Sequence, residues 1–269
     1  MKPAAIALVI TCAALAAGCG SSAAQHLAAH KPTTAARLPA VTPSPAASDT
    51  ATANEQAFAN WLAAPSRDGS LLLSTISGPA MRDYVEFEAL FAQALAADGQ
   101  PLAPETVTTI PGGYQLCETS SNGSPSCDSF TEWQTGAKGR ITDLAVDGQL
   151  ILPRLGAGKL DTGSPLAISD VLAYRPGNSD EVDVVYKVRN VSDRVFGNGN
   201  PAWLAVFDAS DGGEIQEDES NSVIPGDLQP GESAVELVAF ATRTVSGEFS
   251  LRTNDQLETV LATSTLQTP

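Results

Sequence analysis

The sequence predicts two domains: a small α+β domain followed by an all-β sandwich. Three observations lead to this prediction. The chain has 269 residues, more than the ~250 at which a single hydrophobic core usually stops growing. Residues 54–153 contain two amphipathic helical segments and then three β-rich segments, the order of an α+β domain. Residues 164–269 contain seven short β-rich segments separated by turn residues, which is typical of a sandwich.

Residues 1–18 have the pattern of a secretory signal peptide. One lysine precedes an apolar stretch from Ala4 to Leu15, and small residues follow. This stretch is shorter than the ~20 residues that a membrane-spanning helix needs. We therefore expect the segment to be removed from the mature protein.

The sequence LAAGC, which ends at Cys19, resembles the lipobox of bacterial lipoproteins. Ala16 occupies a position where leucine is more usual, as actinobacterial examples often show. The resemblance implies that Cys19 becomes the N-terminus and carries acyl chains, including palmitate. Several acyl chains on one residue give stable membrane attachment. The expected location is the extracytoplasmic face of the cell membrane; the alternative is ordinary secretion, with Cys19 as a free thiol.

Residues 19–53 consist of the lipidated cysteine and a spacer rich in Ala, Thr, Ser and Pro. The spacer shows no helical or strand periodicity, so we expect it to be disordered. In polyproline form, at ~3.1 Å per residue, it would reach about 100 Å. Its Ser and Thr residues beside proline are possible sites of O-linked sugars, although an unmodified spacer is favoured.

The first domain is predicted to begin with a helix capped by Asn54 and to continue with a longer helix starting near Pro79. Three strands should follow, within residues 106–117, 129–134 and 140–152. This order and the segment GRITDLAVDGQL weakly resemble small NTF2-like domains. The resemblance implies a curved sheet around a pocket, which would lie between the sheet and the helix that carries Phe87 and Phe91.

Cys117 and Cys127 are predicted to form a disulfide. Cys12 lies in the signal peptide and Cys19 is the acylation site, so these two remain as a pair. The residues between them are turn formers, and the flanking segments favour strands, so the bond should join the two sides of a hairpin. Disulfides of this kind persist in oxidising compartments.

Residues 154–163 are predicted to be a linker, although they contain the sequence DTGS at Asp161. Aspartic proteases begin each half of their active site with this motif, because two carboxylates must share one proton. The motif occurs once here, within a glycine-rich segment. A turn in which the side chain of Asp161 caps the backbone is therefore favoured over a protease site.

The second domain, 164–269, shows its strand pattern best at VDVVYKV, where Val182, Val184, Tyr186 and Val188 alternate with polar residues. The segments VVYKVRNVSD, VFDASDGGE and LQPGESAVELVAF resemble the immunoglobulin-like domain of actinobacterial secreted antigens and lipoproteins. The resemblance implies an immunoglobulin-like sandwich that serves in the envelope as a binding or spacing module, and it implies no catalytic residue.

Charge and residue types argue against several functions. The formal net charge is −16, and no stripe of Lys and Arg is available for binding nucleic acid. From Asp170 onward the chain has 17 Asp and Glu residues and 6 Lys and Arg residues, which give a net charge of −11. Both histidines, His26 and His30, lie in the spacer, so the predicted domains lack the residues for a Ser-His-Asp triad or a zinc site of the usual ligands. We expect neither catalysis nor a cofactor.

The acidic segment DASDGGEIQEDES raises the alternative of a calcium site. Its carboxylates are the following: Asp208, Asp211, Glu214, Glu217, Asp218 and Glu219. Their spacing departs from the EF-hand loop, and Gly212 and Gly213 favour a hairpin turn. The hairpin is the preferred interpretation, and no metal site is predicted.

The sequence therefore predicts a membrane-anchored envelope lipoprotein that acts as a non-catalytic protein-interaction module. Its expected partners are the membrane, through the lipid anchor, and an envelope protein whose identity the sequence does not give. The alternative is a small-molecule or lipid binding protein that uses the pocket of the α+β domain. A glycosidase built from two carboxylates is third, because no pair stands out and the tryptophans Trp61, Trp133 and Trp203 are expected in the core.

Overall fold

The computed structural model describes residues 49–119, 125–158, 165–177, 179–197, 203–217, 226–253 and 259–269. Within this part of the chain the protein is mostly β-structure, with two α-helices and two antiparallel sheets. The helices are α1 (Asp49–Leu62) and α2 (Pro79–Ala97). The strands are β1 (Thr106–Ile110), β2 (Gly113–Thr119), β3 (Pro125–Thr135), β4 (Ile141–Val146), β5 (Gln149–Leu150), β6 (Leu155–Gly158), β7 (Leu166–Tyr174), β8 (Val182–Asn190), β9 (Trp203–Ala209), β10 (Gly213–Gln216), β11 (Ser233–Phe240), β12 (Gly247–Thr253) and β13 (Val260–Gln267).

Helix α2 forms where the sequence predicts it. Pro79 occupies the first helical position, where its missing N–H costs nothing. At the other end Gly99 has a φ of 77°, and the N–H of Gln100 donates to the carbonyl of Leu95. This left-handed glycine satisfies carbonyls that the last turn leaves open.

Helix α1 differs from its prediction at the N-terminal end. It begins at Asp49, inside the segment predicted as spacer, so Asn54 is not its cap. The Asn54 side chain instead donates to the carbonyl of Gly139, at 2.7 Å, and ties the helix to the turn between β3 and β4. The helix packs against the core through Phe58 and Trp61, which are both buried, as expected.

The first sheet is a meander in the order β1-β2-β3-β4-β5. Its three predicted strand regions are confirmed, with the first divided into β1 and β2. Gly113 is required at the turn between them, because a Cβ there would lie 1.9 Å from the carbonyl oxygen of Phe130. Strands β2 and β3 therefore approach each other closely at this point.

The second sheet has eight strands in the order β10-β9-β12-β13-β6-β7-β8-β11. Strands distant in this order meet through aromatic rings: the centroids of Phe207 and Phe240 are 5.6 Å apart, and those of Tyr186 and Phe249 are 4.9 Å apart. The sheet therefore folds over its own apolar core. The predicted alternation in β8 is confirmed, because Val182, Val184, Tyr186 and Val188 all lie in this core.

The outer face of the second sheet is also covered. Val185 of β8 and Leu237 of β11 belong to the same apolar cluster as α2 and the first sheet. The ring of Tyr174, in β7, lies 5.3 Å from Tyr84 and 5.4 Å from Phe87 of α2. Helix α2 thus packs against both sheets, and the residues that the structure describes form one compact unit. The division into domains at 54–153 and 164–269 is not confirmed.

Part of the predicted linker, 154–163, is a strand in the structure. Strand β6 pairs with β7 and β13, so it lies inside the second sheet. Its glycines permit close packing: a Cβ at Gly156 would lie 2.2 Å from the carbonyl oxygen of Val245, and one at Gly158 would lie 2.3 Å from Ser264 Oγ. These glycines serve close contact between strands, whereas the sequence suggested flexibility. Asp161 lies outside the described residues.

Candidate functional site

The disulfide is the predicted site feature that the structure contains. Cys117 of β2 and Cys127 of β3 are directly opposed and bonded, with their Cα atoms 4.1 Å apart. Their position joins the two strands of a hairpin, as the sequence indicated. Cys19, His26 and His30 lie outside the described residues.

The acidic segment forms a hairpin between β9 and β10. Asp208 and Glu214 are directly opposed, and Glu248 of β12 flanks Asp208 on its other side, so three exposed carboxylates stand in one row. Arg252 pairs with Glu214 at 2.6 Å. Among the described residues, no group of three or more His, Cys, Asp and Glu residues is arranged to hold a metal ion.

The turn of this hairpin differs slightly from expectation. Gly213 has a φ of 85°, as a tight turn requires, whereas Gly212 is not in the left-handed region. Glu217 is buried at the end of the hairpin, and Asp218 and Glu219 lie outside the described residues.

A fully buried carboxyl lies in the second sheet. Glu236 of β11 has no exposed surface. Tyr186, directly opposite on β8, donates its hydroxyl to Glu236 Oε2, and Trp203 of β9 donates its indole N–H to the same oxygen at 3.2 Å. These three side chains, which we call the carboxyl cluster, come from three strands that are far apart in the sequence.

The environment of the carboxyl cluster favours the neutral acid. Burial raises the pKa of Glu236 to about 7, although both hydrogen bonds act in the opposite direction. Within the described structure, its second oxygen, Oε1, has no hydrogen-bond partner. The pKa of Tyr186 is raised mainly by burial and then by Glu236, with a smaller contribution from Glu217. Glu217 therefore lies near the carboxyl cluster. Glu236 changes charge near neutral pH, inside a packed core.

A second buried polar group lies between α1, α2 and β1. Arg67 pairs with Glu88 and, at 3.0 Å, with Glu105, and its Nε donates to the carbonyl of Leu62. Burial opposes the charge of Arg67, but Glu88, Tyr84 and Glu105 raise its pKa overall. The pKa of Glu105 is raised by burial despite the neighbouring cation. This arrangement, the arginine triad of Arg67, Glu88 and Glu105, fixes three segments relative to one another.

The helix face expected to line a pocket is filled by side chains. Phe87 is 2 % exposed and stacks against Phe91, and its ring also packs on Tyr174 of the second sheet. The sequence could not reveal this contact, since the partner strand lies some ninety residues further along the chain. The aromatic residues act here as packing.

The tryptophans occupy the positions expected of core residues. Trp61 and Trp203 are each 5 % exposed, and Trp133 is partly buried against the helix core. They do not form an exposed aromatic platform of the kind that binds sugars. The glycosidase alternative gains no support from them.

Comparison with known proteins identifies no relative. No protein-family model, curated protein or solved structure matches this chain. In the described part of the chain, neither helix has the length and apolar character needed to cross a membrane.

Proposed function

We propose that the protein is a lipid-anchored protein of the cell envelope, attached through Cys19 on the extracytoplasmic face of the membrane. The observation that carries this proposal is the sequence LAAGC at the end of an apolar leader. The Cys117–Cys127 disulfide supports it, because disulfides persist in oxidising compartments.

We further propose that the folded part is a non-catalytic protein-interaction module and that the second sheet provides its binding surface. The second sheet corresponds to the segment that resembles an immunoglobulin-like domain. Its hairpin β9–β10 and strand β12 expose the carboxylates of Asp208, Glu214 and Glu248 in one row. We assign the carboxyl cluster and the arginine triad to folding, because Glu236 is fully buried and the side chains of the triad are largely buried.

The anchor is tested by replacing one cysteine at a time. Cys19→Ser should move the protein from the membrane fraction to the soluble envelope fraction and abolish incorporation of labelled palmitate. Cys12→Ser is the matched control, because it changes a cysteine within the predicted signal peptide and should leave both readouts unchanged. Palmitate incorporation that persists in the Cys19 variant would refute the anchor.

The interaction surface is tested by photo-crosslinking in cells. Deletion of the second sheet is unsuitable, because α2 packs on it. A crosslinking residue placed at Asp208 or Glu248 should capture one defined envelope protein. The same residue at Thr108 or Gln134, which are exposed on the first sheet, should not. Capture from the first sheet alone, or from neither sheet, would contradict the proposed surface.

A further inference from the structure

Two leucines are strongly exposed at one end of the molecule. Leu71 is 73 % exposed and Leu73 is 59 % exposed, whereas Leu72 between them is buried and fixes the short 3₁₀ turn Gly69–Leu72 in the core. They are the only large apolar side chains in the described residues that expose more than half of their surface. Exposed apolar surface that is rimmed by polar residues marks a protein or membrane interaction site in many proteins.

Three cations lie on segments next to the leucine turn or to the residues that follow it. Arg82 lies in α2, three residues before Val85. The side chain of Val85 lies close to Gly69, the first residue of the 3₁₀ segment that carries Leu71. Arg140 is held beside the segment that follows the leucines, because the N–H of Ile141 donates to the carbonyl of Thr75 at 2.9 Å. The third cation, Lys138, lies in the same β3–β4 turn as Arg140 and is exposed. In the described structure none of the three cations has an ion pair. The exposed carboxylate of Asp68 lies beside the leucines and accepts a hydrogen bond from the N–H of Ser70.

The N-terminal part of α1 reaches the same end of the molecule. Asn54, in the second turn of α1, donates to the carbonyl of Gly139, which lies between Lys138 and Arg140. The second turn of α1 therefore lies beside the turn that carries these two cations.

We propose that this end of the molecule, made of Leu71, Leu73, Arg82, Lys138 and Arg140, docks on an anionic membrane surface. The leucines would enter the interface, and the cations would contact lipid phosphates. The acidic part of the chain, with its net charge of −11 from Asp170 onward, would be repelled by the same surface. We call these five residues the membrane-facing patch.

The docking proposal uses the proposed anchor only to explain why a small patch is sufficient. A lipid-attached chain of about 29 residues between Cys19 and α1, which begins at Asp49, confines the folded part within about 90 Å of the membrane, at ~3.1 Å per residue. Docking is then intramolecular, and the high effective concentration compensates for weak intrinsic affinity. The patch itself can be tested without the anchor.

The test uses the chain without residues 1–18 and with Cys19→Ser, so that no acyl chain can be attached. It should co-sediment with phosphatidylglycerol vesicles at low salt, release at high salt and remain free of phosphatidylcholine vesicles. Replacing both leucines by serine should abolish binding. Lys138→Gln and Arg140→Gln should each weaken it about fivefold, the effect expected for one cation near an anionic surface.

The matched controls lie elsewhere on the surface. Val191→Ser removes another exposed apolar residue, and Arg194→Gln removes another exposed cation; both should bind vesicles as the parent does. Absence of vesicle binding, or equal losses in the control variants, would overturn the proposal. If the parent chain does not bind vesicles and the leucine variant melts at a lower temperature than the parent, a segment of the chain itself covers the leucines, and the proposal is also overturned. None of these outcomes depends on whether Cys19 is acylated in cells.

Discussion

Tyr186 and Glu236 face each other across the β8–β11 pair, and the tyrosine hydroxyl donates a hydrogen bond to a carboxyl that is fully buried. The ordinary pKa of a glutamate is 4.5, and burial raises that of Glu236 to about 7. The folded protein therefore holds this proton more tightly than the unfolded chain does. The stabilising effect is complete below pH 4.5 and is lost as the pH rises through 7.

Replacing Glu236 by glutamine should remove this pH dependence. Relative to the variant, the wild-type free energy of unfolding should fall by about 2–3 kcal/mol between pH 5 and pH 8, given ~1.4 kcal/mol per pKa unit. Urea unfolding at several pH values measures the difference. Glu248→Gln, which changes an exposed carboxylate, should run parallel to the wild type. A constant difference between the Glu236 variant and the wild type would disprove the titration of Glu236 in this range.

The hydroxyl of Tyr186 should matter more when Glu236 is charged. Because a buried carboxylate depends strongly on its donors, Tyr186→Phe should lower the free energy of unfolding by about 1–3 kcal/mol at pH 8 and by less at pH 5. Tyr114→Phe, in the first sheet, is a control for loss of a hydroxyl from a buried ring. Equal losses at both pH values would mean that the hydrogen bond does not favour the charged form.

Loss of Arg67 should leave a buried carboxylate without its counter-ion. Glu88 is 7 % exposed, so Arg67→Gln should destabilise the protein by about 3–5 kcal/mol. Adding Glu88→Gln should recover much of this loss, and a double-mutant cycle gives the coupling energy. Arg189→Gln is an exposed control. Additive effects of the two changes would show that the ion pair contributes nothing.

Arg154 should not be replaceable by lysine. The buried guanidinium donates to five backbone carbonyls, those of Val146, Gln149, Leu150, Arg175 and Gly177. Lysine has three donors on one atom and cannot reach carbonyls on all sides. Arg154→Lys should lower the unfolding free energy by at least about 2 kcal/mol. Arg243→Lys, in an ion pair that is 70 % exposed, should change it by less than about 0.5 kcal/mol.

Removing the disulfide should destabilise the protein without changing its fold. The bond closes a loop with a sequence separation of 10, for which chain entropy gives about 3 kcal/mol. The Cys117→Ser, Cys127→Ser double variant should lose this amount and retain the circular dichroism spectrum of the parent. A variant as stable as the purified parent would argue that the bond is not formed in the purified protein.

Local pattern predicted much of the fold. The turn residues around Pro79 and Gly99 located α2, the alternation from Val182 to Val188 located the inner face of β8, and the cysteine spacing located the disulfide. These features depend on neighbours in sequence. Short-range signals were wrong in two places: α1 begins at Asp49, before the predicted cap Asn54, and Gly212 is not in the left-handed region.

Features that depend on distant contacts were missed. The two adjacent valines Val184 and Val185 interrupt the alternation in β8, and the structure explains them, since each contacts a different core. Glu236 stands at an inward position of an otherwise apolar strand, but its donors Tyr186 and Trp203 come from other strands. In each case the sequence shows a departure from strand alternation, but it does not show which distant residues contact the departing side chain.

Strand β6 also bears on how the protein can change over evolution. Segments between folding units usually accept insertions, because their length has no effect on packing. Here Gly156 and Gly158 pass so close to Val245 and Ser264 that added side chains would collide. One extra residue within 155–158 would also shift the pairing with β7 and β13 by one register position. The glycine-rich segment that the sequence predicts as a linker is thus one of the places where this protein tolerates the least change in length.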